Sequence, residues 1–325
     1  MRQFIRRGII IFALIFFLFS PVSQSSSLNF LLRRTRDYQT SYEKVRFTLV
    51  GIFQEAAKLQ EALRTGSLEE RQRILQSPEL RIAISCLQYG LSLGSRTLRN
   101  QVASLAEKLG IKVNPEQNIG IYQGESEIFD ILGNIFLTEE GGLIFYQKGT
   151  SNPEELFKPF LDRYGAEIVE FDPYLIEHDS IHSDSSELSG FESLIYLGIK
   201  EGKSPRFIYL NGKGLTETQA RRIYAMAEQY NLIIIENITD AGPEDYLLSA
   251  HDPQGRVIAI GNFDRYLGEA NPLSYAIAGE EIMRFMEIAI GGISLHPNAF
   301  LQPIVSGILS QNGIPYSVNV SHKPV

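Results

Sequence analysis

The residues of this chain whose type and spacing could do chemistry lie where apolar runs give way to turns, after Tyr122, Leu210, Ile235 and Ile260. The first turn carries Gly124 and then Glu125. A carboxylate at the start of a helix suits the helix dipole, and it takes the electrostatic niche that a bound phosphate would use, so it would repel one. The second turn reads Asn211-Gly212-Lys213-Gly214, and Lys213 is the lysine nearest to this chemistry. The third carries Asn237 and Asp240, the fourth Asn262 and Arg265. Asn237 is a neutral amide and cannot hold a proton on a ligand. Arg265 stays protonated at any relevant pH and cannot act as an amine nucleophile. Counting excludes other chemistries. Cys86 is the only cysteine, so neither an intramolecular disulfide nor a multi-cysteine metal site can form. His178 and His182 have a four-residue spacing but sit in an Asp- and Ser-rich stretch that reads as a solvated loop, and no metal is expected there.

These turns need strands and helices to hold them. Apolar residues recur near the helix period over 42–75, and shorter helical stretches follow over 80–87 and 98–109, the last closed by Gly110. From Asn118 the pattern becomes strand–helix alternation. Strands are expected at 119–122, 143–146, 167–171, 206–210, 232–235, 257–260 and 273–277. Helices are expected at 126–137, 153–164, 216–230 with Thr216 as N-cap, from Glu280, and over 293–309. The polar stretch 180–189 reads as a loop. Continuous apolar strands alternating with helices mean an α/β fold of three αβα layers around a mainly parallel sheet. In such sheets ligands bind beyond the carboxyl ends of the strands, where the four turns lie.

A hydrophobic content of 44% is enough for a sizeable core, and a net charge of −8 argues against a nucleic-acid binder. At the N-terminus Arg2, Arg6 and Arg7 precede an apolar run over 9–19 and a Ser-rich exit. That order describes a signal peptide cut near Ser25, or alternatively an uncleaved membrane anchor. The chain therefore divides into residues 1–25, exported or membrane-anchoring; a helical segment, 26–79; a large domain, 80–310; and a tail, 311–325.

The segments Tyr89-Gly90, 98–110, 111–117 and Gly124, then 216–223 and 230–236, then 252–258 leading into Gly261-Asn262-Phe263-Asp264-Arg265-Tyr266-Leu267, carry a resemblance in their order and spacing. Over about 80–309 the chain resembles the class I/II aminotransferases that use pyridoxal phosphate (fold type I). The last of these segments lies where that family carries Gly-Ser-Phe-Ser-Lys-Thr-Leu.

The resemblance implies a cofactor site at Tyr89, Gly124, Glu125, Asn211, Asn237, Asp240, Asn262, Arg265 and Pro272. It also implies that most of the family's groups are changed. Arg265 stands at the lysine that forms the Schiff base, Asn237 at the aspartate on the ring nitrogen, and Asp240 at the tyrosine that contacts the ring oxygen. Glu125 replaces a small hydroxyl residue in the phosphate cup, and Pro272 replaces an arginine on the phosphate. Asn211 keeps the residue of the family's Asn-Pro-x-Gly loop. The chain also ends short of the family's small C-terminal domain, and no residue matches its substrate-carboxylate arginine. The expectation is a pseudoenzyme that binds or scaffolds, with no catalytic set intact and no cofactor, pyridoxal phosphate being implied only if the family function is retained. The alternative is a pyridoxal-phosphate-dependent transaminase acting on an amino acid and a 2-keto acid through an unusual site. The family pairs its large domains, so a homodimer is implied. A regulator of the winged-helix type is discounted, because the segment before the large domain is apolar and signal-like.

Overall fold

In the computed structural model the described residues are 69, 91–137, 142–174, 176, 190–267, 273–293, 296–299 and 301–314. The segments 1–25 and 26–79, apart from Glu69, the helical stretch 80–87, the loop 180–189, the tail from 315, and the site positions Tyr89 and Pro272 lie outside them. Among the described residues no helix is long and apolar enough to cross a membrane.

The first element, α1 (Arg96–Lys108), starts two residues ahead of the apolar periodicity, because the Ser95 side chain accepts the Leu98 N–H and caps it. Gly110 follows at φ 79°, the left-handed geometry that ends helices. Next come β1 (Ile119–Tyr122), α2 (Glu125–Phe136) and β2 (Leu143–Gln147). The single helix expected over 153–164 is two, α3 (Pro153–Leu156) and α4 (Lys158–Tyr164). Pro159 lacks the N–H that a continuous helix would need, and Phe157 takes φ −91° and ψ 8° between them. After β3 (Glu167–Phe171) comes α5 (Gly190–Lys200), a helix the sequence pattern did not reveal. Then follow β4 (Pro205–Asn211), α6 (Glu217–Gln229), β5 (Ile233–Asn237) and a short 3-10 turn, Leu248–His251. The last elements are β6 (Val257–Asn262), α7 (Asp264–Leu267), β7 (Ser274–Ile277), α8 (Glu280–Ile293) and α9 (Leu301–Gln311). The helix expected over 293–309 therefore starts later, at Leu301, whose N–H is accepted by the Asn298 side chain at 3.2 Å. Pro297 just ahead of it cannot donate to a helix ladder.

The strands form one seven-stranded sheet in the order β1-β7-β6-β5-β4-β2-β3. All pairs are parallel except those of β7, which runs antiparallel to both β6 and β1. Alternation along the strands sorts the core onto two faces. Tyr122, Ile144, Phe207, Tyr209, Ile235, Ile258 and Ala276 point to one face and pack with α2, α4 and α8. Their neighbours Ile121, Tyr275, Ile277 and Ala259 point the other way, to α1 and α9. Phe145, Ile208, Leu210 and Ile234 share that second face and meet α5 and α6. Two helical layers thus enclose the sheet. At one edge of the sheet β1, β4, β5 and β6, all of one direction, end.

Candidate functional site

Strand register brings the four sheet-end turns side by side. Asn211, the last residue of β4, pairs with Asn237, the last of β5. Asn262, the last of β6, pairs with Ser274, and Ser274 pairs with Tyr122 at the end of β1. The turn from β1 into α2 passes through Gly124 at φ 92° and ψ 168°. Only glycine adopts that geometry without strain. It delivers Glu125 as the first residue of α2, facing the end of β6.

There the Glu125 carboxyl is hydrogen-bonded to the Asn262 side chain and stands close to Asp264. Its pKa is raised, first by burial and then by the neighbouring Asp264 charge, with the Asn262 bond opposing. The helix dipole expected to favour this carboxylate is outweighed by the loss of water. Asn262 in turn accepts the Asp264 N–H at 3.1 Å and so shapes the start of α7. On the neighbouring strands the Asn237 amide donates to the Tyr209 hydroxyl at 3.0 Å and accepts the Thr239 N–H at 3.0 Å. Tyr209 is held edge-on to Phe157 at 5.2 Å between ring centres. Its hydroxyl pKa is raised, chiefly by burial, and the charge of Glu125 adds to the effect. The Asn211 N–H donates to the Gln147 side chain at 2.9 Å, and the Gly212 N–H to the Asn237 carbonyl at 2.8 Å.

One step behind the crevice Glu236 is fully buried. Its two oxygens accept the N–H groups of Leu248 at 2.7 Å and Ser249 at 2.9 Å. Burial raises its pKa, against these hydrogen bonds. Glu236 ties β5 to the 3-10 turn.

The structure thus draws together Glu125, Asn262, Asn237 and Asn211 from the residues the sequence singled out, with Gly124 as the hinge that aims Glu125. Arg265 on α7 and Asp240 after β5 are exposed, and so is Lys213 on the turn after β4. Asp264 joins them, and Tyr209 and Gln147 complete the arrangement without having been singled out. Tyr209 lay inside an apolar strand and read as core, and only the pairing of β4 with β5 shows that its hydroxyl reaches Asn237. The set is two carboxyls, carboxamides and a phenol. These can accept hydrogen bonds and hold positive charge, but none is an amine nucleophile. Among the described residues no three His, Cys, Asp or Glu side chains are grouped as a metal site.

This fold is that of the aminotransferases. The multiple substrate aminotransferase from Thermococcus profundus superimposes with a TM-score of 0.55 at 20% identity, over 80% of this chain and 61% of that one. The Pyrococcus horikoshii kynurenine aminotransferase does so with 0.56 at 19% identity, over 91% and 72%. By sequence, an aromatic-amino-acid aminotransferase of Thermococcus litoralis is 26% identical over 237 residues, 68% of this chain and 53% of that protein. An aminotransferase of Saccharolobus solfataricus is 24% identical over 77% of this chain and 64% of its own length. No family model matches the chain. The chain is a divergent, aminotransferase-like protein of class I/II with the fold-type I architecture. It spans a little over half of the first of these curated relatives and somewhat less than two thirds of the second.

Proposed function

We propose that this protein is a catalytically degenerate aminotransferase that serves as a binding or scaffold protein. The observation that carries the reading is Glu125, a half-buried carboxyl beside Asp264 at the start of α2. The residues present do not fit pyridoxal phosphate. Its phosphate would meet Glu125 and Asp264, like charges in a partly desolvated place. Its ring nitrogen would meet Asn237, whose amide is committed to Tyr209 and Thr239 and carries no charge to hold a proton. At the position that the resemblance gives to the Schiff-base lysine stands Arg265, a guanidinium with no free amine.

The test adds pyridoxal phosphate to the purified chain, reduces with borohydride and maps any modified residue by mass spectrometry. The expected result is no stoichiometric adduct, no absorbance band of an internal aldimine and no amino-group transfer to a 2-keto acid. A single stoichiometric adduct on Lys213 together with transfer would establish the opposite reading, a transaminase with an unusual site. The resemblance also supports a homodimer, read by light scattering. The N-terminal sequence supports export or membrane anchoring, and soluble, uncut protein found in the cytosol by fractionation would overturn that.

A further inference from the structure

A concavity lies between the outer face of α6 and the 3-10 turn, lined by none of the sheet-end residues described above. It is an open groove with a volume of about 710 Å³. Arg221, Tyr224 and Ala225 line it from α6, and Tyr246, Leu248 and His251 from the segment before β6. Its volume falls in the range of small-molecule sites, and its lining mixes Ala225, Leu248, Ala250 and Pro253 with polar and charged side chains.

The polar groups differ in how far they are committed. The Asp252 carboxylate accepts the Tyr224 hydroxyl at 2.7 Å and the Val257 N–H at 2.8 Å, with the Arg256 N–H at 3.2 Å. Burial, with Asp252 next, pushes the Tyr224 hydroxyl up to about 12, so it stays a donor to Asp252. Asp252 is thus committed to the protein, while Glu228 is exposed and accepts the Gln254 amide. Among the described residues Arg221 is held by the exposed carboxylate of Glu217, one turn earlier on the same helix, through Nε and Nη2. Such exposed pairs are weak and exchange readily. His251 is fixed in orientation. Its ring stacks on Tyr246 at 4.5 Å with the planes 10° apart, and Nδ1 lies 3.0 Å from the Leu247 carbonyl. A carbonyl only accepts, so Nδ1 carries a hydrogen, and Nε2 lies on the opposite edge of the ring.

We propose that this groove binds a small planar aromatic anion, its ring against the stacked Tyr246–His251 pair and its carboxylate on Arg221. A hydroxyl substituent on that ring, which can donate and accept, has a hydrogen-bond partner in His251 Nε2. Ala225 and Ala250 leave the room for the ring, and Leu248 gives it an apolar floor. The site is separate from the crevice at Glu125 and stands whether or not the chain handles pyridoxal phosphate.

The test uses the full chain and 4-hydroxybenzoate as probe. Imidazole resonances are followed by NMR, and His251 is identified by the signals lost in His251→Gln. Addition of the probe is expected to shift the His251 signals through the ring current, with saturation. The neutral 4-hydroxybenzamide, and cyclohexanecarboxylate, which has charge but no aromatic face, should each bind at least about fivefold more weakly, and Arg221→Gln should bring the probe down to the level of the amide. Far-ultraviolet circular dichroism and the thermal midpoint of Arg221→Gln show that the fold is kept, since the side chain is on the surface. No shift at His251 up to the solubility limit, equal binding of the amide, or unchanged binding in Arg221→Gln would each overturn the proposal.

Discussion

Glu125 and Glu236 are carboxyls that the fold has taken from water, and both have pKa values raised above the ordinary 4.5. Each therefore holds its proton more tightly in the folded than in the unfolded chain. Their contribution to stability is complete below the unfolded pKa and is lost as the pH rises through the folded one. The chain should lose stability from about pH 4.5 upward, and Glu125→Gln, which cannot ionise, should make the decline shallower; urea midpoints at several pH values read this directly. A slope unchanged in Glu125→Gln would mean that its carboxyl is not desolvated. Glu236→Leu should act differently, because it strands two N–H donors at the 3-10 turn, at about 1–3 kcal/mol each. Gly124→Ala places a side chain at φ 92° and should cost about 1–3 kcal/mol in the same measurement. At this scale the sequence told which residues stand at strand ends, because turns punctuate apolar runs. It did not tell that Tyr209 and Glu236 have polar ends with partners, since both sit within runs whose other members are core.

Elements were legible where one local signal dominates. The expected N-cap Thr216 accepts the Gln219 N–H, and the Gln219 side chain reaches back to the Thr216 N–H, a complete capping box. Thr216→Ala should therefore lower the urea unfolding free energy by about 1 kcal/mol, with the denaturant slope unchanged. The strands were legible because each is short, bounded by turns and mainly apolar, though β3 also carries Glu167 and Glu170. Two helices were misjudged for a common reason. Proline in a helical pattern can open a helix or interrupt one, and apolar periodicity over 153–164 and 293–309 did not distinguish the cases. The α5 helix escaped because its apolar residues do not form one stripe. Phe191 and Ile195 are buried, but Tyr196 and Leu197 are half exposed. Contacts between elements were not legible at all. At Gly261 an added Cβ would lie 2.4 Å from the Tyr275 hydroxyl, across the antiparallel pair β6–β7. The glycine is there so that the tyrosine ring can lie over β6.

On the scale of the whole molecule, the sheet decides where stability resides. β5 and β6 are central, each paired on both sides, and their middle residues Ile234, Ile235, Ile258 and Ala259 are buried between helical layers. β3 is an edge. Among the described residues it pairs only with β2, and Glu167 and Glu170 on it are exposed. Exposed charge on an edge strand discourages pairing with another chain, but it also leaves less apolar area to hold the strand in place. A strand hydrogen-bonded on one side can open without disturbing the rest, whereas opening β5 removes both of its neighbours' ladders and the core on both faces. Native-state hydrogen exchange should therefore divide the sheet. Amides of β5 and β6 should exchange only through global unfolding, with a free energy equal to that from urea titration and a steep denaturant dependence. Amides of β3 should exchange through a smaller opening, with lower protection and little dependence on urea at low concentration. The crevice is built on the ends of the well-protected strands β4, β5 and β6, so its geometry should persist through the local openings at the edge. Protection of β3 equal to that of β5, with the same denaturant slope, would show instead that the seven strands open as one unit and that the edge is held by contacts beyond β2.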